Sequence, residues 1–480
     1  MKLKDLLTDV EILSAAADMH LEITGVSYDS RTVAHGEIFV AIAGETADGA
    51  AFIPEAMKRG AVCAVSETVL PDDIPHVRVA SCRRALAVIA ANWFGHPDRE
   101  MTLVGVTGTN GKTTTTHLIK RILEETVGAK VGLMGTVHTL VDGRELPSER
   151  TTPESWEMHC LLRQMADAGC THAVMEVSSH ALALDRVHAL RFAVGVLTNL
   201  TQDHLDFHRT MEEYCAAKAR LFHCCDAAVY NADDPWAERM LAASRCLRCS
   251  YGVQRGQWRA ENVTLTSVGV SYTAVSAETT VPVCLQIPGK FSVYNSLAAV
   301  AACRQLGIPA EACAAALSTA AGAKGRMEVV PTGETPYTVI IDYAHTPDAL
   351  ENVLSAVRGF AKGRIVALFG CGGDRDRTKR PLMGAIAASL ADFSVVTTDN
   401  PRTEQPRAII EDILTGMDGA ACQVIEDRIE AICWALEHAE ANDVIVLCGK
   451  GHEDYQEVDH RKIHLDEREV VAEYLAGQKK

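Results

Sequence analysis

The sequence predicts an α/β protein of three domains, and three observations support this. Its 480 residues exceed what one core holds at about 150 residues per domain. The apolar run MTLVGVTG passes through GTNGKT into THLIKRILEE, which has helical periodicity. Beyond residue 331, four strand-like runs each end in a polar loop followed by a helical pattern.

Residues 1–99 mix short β-rich runs (EIFVAIAG, AVCAVS) with one helical segment, CRRALAVIAANWF. A polar, proline-bearing link at His96-Pro97-Asp98-Arg99-Glu100 closes this block. Residues 100–331 alternate strands with helices and read as a central parallel-sheet domain of the P-loop ATPase type. Residues 332–480 follow Pro331 and carry YTVIIDY, GRIVALFG, DFSVVTTD and DVIVLCG, the βαβ units of a Rossmann-like C-terminal domain. Ligands on such sheets gather at the carboxyl ends of strands, here DYAHTP, GCGGDRDR, DNPR and GKGHE. Position 375 is arginine, so G-x-G-x-x-G is incomplete and no dinucleotide site is expected.

Composition narrows the class. A net charge of −17 argues against a general nucleic-acid or membrane-surface binder. No stretch reaches the roughly 18 uninterrupted apolar residues of a membrane span, and the N-terminal twenty residues lack a signal-peptide core. A cytoplasmic protein is expected. Among 16 cysteines only Cys246 and Cys249 form C-x-x-C, which favours small buried hydrophobes over a zinc site.

The loop Gly108-Thr109-Asn110-Gly111-Lys112-Thr113-Thr114 lacks the first glycine of the usual phosphate-binding pattern, whose place holds Val106. A strand before it and a helix after it still aim backbone N–H groups at phosphate. Lys112 can reach terminal phosphates, and Thr113 can ligate Mg²⁺. Glu176, ending the strand-like HAVME, suits a metal ligand on a neighbouring strand. Asp203, His204, Asp206 and His208 crowd the loop DHLDFH, and one histidine there can assist a magnesium site. Lys218 shares one helical face with Tyr214, Leu221 and Phe222. A desolvated lysine loses its charge, and a neutral amine can take up CO₂ as a carbamate able to join a metal site.

GTNGKTTT, MEVSSHAL, TNLTQDHLDFH, YCAAKARLF, YNSLAA, KGRMEVV, DYAHTPDAL, GGDRDR, DNPR and GKGHED, in this order over nearly the whole chain, resemble the Mur ligases of peptidoglycan synthesis. The resemblance implies ATP and Mg²⁺ as cofactors. It implies UDP-N-acetylmuramoyl-L-alanyl-D-glutamate and meso-diaminopimelate as substrates, and a monomer is expected. The N-terminal domain would hold the uridine nucleotide through Tyr28, Ser30 and the Glu45-Thr46-Ala47 loop. Thr151, Thr152, Ser178 and Arg186 match residues that grip the muramoyl peptide. Asn295, Arg326 and Asp342 match positions serving ATP. Lys218 matches the family's carbamylated lysine (N6-carboxylysine), and Glu176 and His204 match metal ligands. Arg375, Asp399, Asn400, Pro401, Arg402, Gly449 and Glu453 would receive the amino acid. Leu184 and Arg150 depart from the glutamine and asparagine of some members.

Arg402 favours diaminopimelate over lysine, because diaminopimelate carries an extra carboxylate that a guanidinium binds bidentately. A buried Arg402 facing lysine would be left unpaired. The rival readings are a lysine-adding ligase, a folylpolyglutamate synthetase-like enzyme, and a P-loop switch that binds nucleotide without ligation.

Overall fold

A computed structural model describes residues 1–44, 48–148 and 150–478. The chain forms two compact units, one of residues 1–112 and 123–249, the other of residues 113–122 and 250–480. The expected Glu45-Thr46-Ala47 contact lies outside the described residues.

The first unit contains two sheets. Gly25–Ser27, Glu37–Val40, Cys63–Ser66 and His76–Val79 pair in parallel, and Ile12–Ala16 closes the far edge antiparallel. The helix Cys82–Trp93 begins at Ser81, whose hydroxyl accepts from the Arg84 N–H, an N-cap that satisfies one free donor of the first turn. It buries Cys82, Ala85, Leu86 and Ile89 against this sheet.

In the second sheet Thr102–Thr107 is the central strand, flanked in parallel by His172–Glu176 and Phe192–Leu197. Val106 is paired with Glu176, and Thr107 with Leu197. The loop at residues 108–111 therefore emerges between the carboxyl ends of two neighbouring strands, where an α/β sheet presents its ligand site.

The second unit departs from the alternation expected up to residue 331. Trp258–Thr266, Gly269–Val275 and Thr280–Leu285 form three successive antiparallel strands. Their cause is a period-2 pattern, buried at every second residue of Thr280–Leu285, with tight connections that leave no room for helices. The buried helix Lys290–Gln305 follows.

The last sheet orders Glu328–Val330, Thr338–Asp342, Val444–Cys448, Ile365–Phe369, Phe393–Val396 and Cys422–Val424. All its pairings are parallel except the first. The four strands foreseen in the C-terminal block are all present. A hairpin of Tyr455–Val458 and Arg461–His464 was not foreseen, and it lies beside the DNPR loop.

One buried ion pair ties this sheet together. Arg428 and Glu467 are both fully buried, with Nη2 2.7 Å and Nε 2.9 Å from Oε1. Arg428 also donates to the carbonyls of Thr398 and Cys448, at the ends of two strands. Removing one partner leaves an uncompensated charge in the interior. Glu467→Ala should therefore lower unfolding free energy by about 3–5 kcal/mol, whereas the double replacement Arg428→Met/Glu467→Leu should recover much of it. Denaturant titration of both variants checks this, and a wild-type midpoint for Glu467→Ala would rule the account out.

Candidate active site

The loop that follows Thr102–Thr107 is held by its neighbours rather than by its own sequence. Gly108 has φ +147°, and a Cβ there would fall 1.8 Å from Thr198 Oγ1, so only glycine fits. Thr198 Oγ1 donates to the Asn110 carbonyl at 2.6 Å. The Asn199 side chain accepts from Asn110 N and donates to Asn110 O. Thr109 Oγ1 meets Tyr214 Oη at 3.2 Å. Gly111, at φ +84°, starts the helix Lys112–Val127, and no side chain caps it. An N-terminus without a side-chain cap presents positive dipole density to an anion. Thr113 and Thr114 are buried in its first turn.

Two lysines converge on one oxygen. Lys112 Nζ donates to the Gly108 carbonyl at 2.9 Å and to that of Thr109 at 2.8 Å. Lys218 Nζ donates to the same Gly108 carbonyl at 2.8 Å. Lys218 is 2% exposed, on the helix Met211–Ala219 whose N-cap is Thr210. Tyr214, Leu221 and Phe222 are buried with it, as the helical spacing predicted. Burial first, and then the Lys112 charge, depress the Lys218 pKa well below its ordinary value. Lys218 thus favours the neutral, nucleophilic amine.

The expected metal ligands are spread around this point. Glu176 is buried, its Oε1 accepting from Thr136 N at 2.9 Å and its Oε2 from Thr136 Oγ1 at 3.1 Å. His204 is in the left-handed region, φ 52°, with its ring 4.8 Å from His180 and 6.2 Å from Tyr214. No group of three His, Cys, Asp or Glu able to hold a metal occurs among the described residues. Glu176 supplies one anionic group, which is few for a hard cation that prefers oxygen. A carbamate on Lys218 is the modification that would supply a second. That oxygen-rich anion is the kind of donor magnesium prefers.

The peptide-side residues form a connected network. Thr152 Oγ1 donates to the Glu176 carbonyl at 2.9 Å and accepts from Ser178 N. Ser178 Oγ accepts from Ala181 N, so it also caps the helix Ser179–Ala183, at whose C-terminus Leu184 sits. Thr151 Oγ1 meets Thr136 Oγ1 at 3.1 Å. Arg186 donates to the Thr152 carbonyl and pairs with Glu154 at 2.8 Å, while its buried Nε has no partner among the described residues. Arg150 pairs with the same Glu154 oxygen at 3.0 Å. Tyr28 Oη donates to Glu157 at 2.7 Å beside a cleft of about 630 Å³ lined also by Arg150 and Trp156. Ser30 is buried two residues from Tyr28.

In the second unit, Asn295 is buried on Lys290–Gln305. The Asp342 carboxylate accepts from Met327 N at 2.8 Å. Burial raises its pKa against the opposing Arg326 charge. Arg326 lies over the Tyr343 ring at 5.3 Å.

The DNPR and GKGHE loops meet through their side chains, Lys450 among them. Asn400 donates to Glu453 at 2.9 Å and accepts from the fully buried Lys450 at 2.7 Å. Lys450 also pairs with Glu453 at 2.8 Å. A Cβ at Gly449, φ +113°, would fall 2.3 Å from Asp399 Oδ2, a buried acceptor without a partner among the described residues. Pro401 leads into Arg402, whose guanidinium is already paired, with Nε 2.9 Å from Glu457 and Nη1 2.8 Å from the Gly373 carbonyl. The expectation of an unpaired Arg402 facing lysine is thus corrected. Arg375 is exposed, and its Nη1 donates to the carbonyl of Asp374. Lys450 and Glu457 had no periodic or motif signal beyond sitting in GKGHE and just after it.

Gly108→Ala should force the loop off Thr198 and cost about 1–3 kcal/mol of backbone strain. Nucleotide affinity should fall steeply, and removing the clash with Thr198→Ala should restore part of it. Titration with a fluorescent ATP analogue checks this, and unchanged affinity in Gly108→Ala would contradict the close approach.

Residues 22–94 match the family model described as "Mur ligase family, catalytic domain". Residues 106–303 match the Mur ligase middle domain, and residues 325–451 the Mur ligase glutamate ligase domain. A UDP-N-acetylmuramoyl-L-alanyl-D-glutamate–2,6-diaminopimelate ligase of Clostridium botulinum is 44% identical over 461 residues, 95% of each chain. The ligase of the same name from Gloeobacter violaceus is 46% identical over 467 residues, 96% of this chain and 95% of its own. A solved structure of a ligase of that name is 31% identical with a TM-score of 0.73, covering 100% of this chain and 99% of its own. This chain belongs to the Mur ligase family.

Proposed function

We propose that this protein is an ATP-dependent ligase that joins meso-diaminopimelate to the D-glutamate side-chain carboxylate of UDP-N-acetylmuramoyl-L-alanyl-D-glutamate, releasing ADP and phosphate. The observation that supports it most directly is the pair Lys112 and Lys218 on one carbonyl. A carboxylate resists attack by an amine until one of its oxygens becomes a leaving group. Phosphoryl transfer from ATP makes an acyl phosphate. The amine then attacks the carbonyl carbon, and phosphate departs from a tetrahedral intermediate. Two anions must meet in the first step, so catalysis is largely positioning and charge compensation.

Lys112 and the backbone donors of residues 108–114 receive the phosphates, and Asn295, Arg326 and Asp342 serve the nucleotide. The Lys218 amine attacks CO₂, forming an N–C bond and releasing its proton to water, which converts a repelling cation into an anion. Thr113, Glu176, His204 and the modified Lys218 would hold Mg²⁺. When bound, the ion would neutralise charge on the transferring phosphoryl group. Thr151, Thr152, Ser178 and Arg186 hold the peptide, and Tyr28, Ser30 and Glu45-Thr46-Ala47 the uridine end. In this reading the domains are residues 1–99, 100–331 and 332–480, for muramoyl nucleotide, ATP and amino acid respectively, and the enzyme works as a cytoplasmic monomer.

Arg402 pairs the distal carboxylate of diaminopimelate, with Arg375 as a second arginine, while Asp399, Asn400, Gly449 and Glu453 receive the amine end. Because Glu457 already partners Arg402, lysine forfeits a charge-assisted hydrogen bond rather than burying a bare cation. That costs about 1.5–3 kcal/mol, or one to two factors of ten in kcat/KM.

ADP release should require the muramoyl dipeptide and diaminopimelate together, with lysine poorer by that factor. Arg402→Ala should narrow the gap. ADP release without either acceptor would favour a nucleotide switch instead, and equal use of lysine would remove Arg402 as the selective residue. Lys218→Ala should be inactive, partly rescued by added short carboxylates that stand in for the carbamate. Its activity in the wild type should rise with pH as Lys218 loses its proton. Full activity in Lys218→Arg, which forms no carbamate, would rule that role out.

A further inference from the structure

The hairpin behind the DNPR loop carries Glu457, whose hold on Arg402 extends beyond one ion pair. Arg402 has φ 52°, a left-handed conformation that costs an L residue about 1–2 kcal/mol. It is held there from the hairpin. Arg402 N donates to the Glu457 carbonyl at 3.0 Å, and Asp459 N donates to the Arg402 carbonyl at 2.9 Å. These two bonds form an isolated parallel bridge between Arg402 and Val458.

The Glu457 side chain completes the grip. Its Oε2 accepts from Arg402 Nε at 2.9 Å, with Arg402 18% and Glu457 26% exposed. Gly373 O takes Nη1 at 2.8 Å from the other side. A guanidinium fixed at Nε and Nη1 can no longer rotate about its last bonds. Its Nη2 makes no hydrogen bond among the described residues, so two donors remain open in a fixed direction. Glu457 is itself anchored, since its N–H donates to Asn400 Oδ1 at 2.9 Å, and Asn400 holds Lys450 and Glu453. Gln456 Nε2 adds a bond to the Asp399 carbonyl at 2.7 Å. The hairpin thus grips the loop at Asp399, Asn400 and Arg402.

We infer that Glu457 is a positioning residue for amino-acid selection, holding the Arg402 guanidinium so that Nη2 faces the distal carboxylate of the incoming diaminopimelate. This rests on the reading of Arg402 as the carboxylate receptor. Glu457 has two effects: it aims the guanidinium, and it keeps Arg402 paired when that carboxylate is absent.

The test uses the full-length enzyme with Glu457→Gln, Glu457→Ala, Arg402→Ala and the double variant Glu457→Ala/Arg402→Ala. KM for diaminopimelate should rise about tenfold in Glu457→Ala with kcat within twofold. KM for ATP and for the muramoyl dipeptide should stay unchanged. Glu457→Gln keeps an acceptor oxygen for Nε and should recover most of the loss. In the Arg402→Ala background, Glu457→Ala should have no further effect, because the residue acts through that guanidinium. An unchanged diaminopimelate KM in Glu457→Ala, alongside a raised KM in Arg402→Ala, overturns the inference and leaves the receptor intact. An unchanged KM in Arg402→Ala overturns the receptor reading itself. Parallel losses in all three KM values, or equal effects of Glu457→Ala in both backgrounds, would mean that Glu457 only supports the fold.

Discussion

Two lysine side chains donating to the single carbonyl of Gly108 are the constraint on which the loop after Thr102–Thr107 depends. Like charges so close, one of them fully out of water, cannot both be maintained without cost, and burial and the Lys112 charge together push the Lys218 pKa well below its ordinary value. The rest of the first unit serves that arrangement. Gly108 must lack a side chain for Thr198 to close on the loop, and Thr198 follows the strand paired with Thr102–Thr107. Tyr214, one turn before Lys218, both bonds Thr109 and places its ring 4.6 Å from the Lys218 nitrogen.

The same economy appears in the C-terminal sheet, where three buried basic side chains each gather several acceptors. Arg428 joins Thr398, Cys448 and Glu467; Lys450 joins Asn400 and Glu453; fully buried Arg380 joins Glu404 and Asp412. Each fixes a loop at the carboxyl edge, where ligand recognition needs rigidity. None of these three basic residues was singled out from sequence, because a buried arginine and a solvated one have the same spacing. Their acidic partners lie 24 to 39 residues away or, for Glu453, on the far side of a turn.

Several residues hold two roles at once. Ser178 caps a helix while its N–H donates to Thr152, and Glu154 serves both Arg150 and Arg186. Substitution at such positions changes shape and recognition together. A capping loss of about 1 kcal/mol at Ser178 would accompany any change in affinity. Glu457 combines a backbone bridge with a charge contact in the same way.

The sequence by itself determined the parallel strands of the central and C-terminal sheets, the glycine loop between strand and helix, and the apolar face around Lys218. Each of these is written in local periodicity and short-range spacing. It also determined the family, because ten short motifs in order carry more information than any one of them. Tertiary structure alone decided the antiparallel strands between Trp258 and Leu285, whose pairing depends on register between segments rather than on composition. It also decided that Arg402 faces Glu457, because their side chains, 55 residues apart, meet only where the hairpin folds back on the loop. Distance in sequence hides a contact whenever the charge of each partner, taken alone, is equally at home in water.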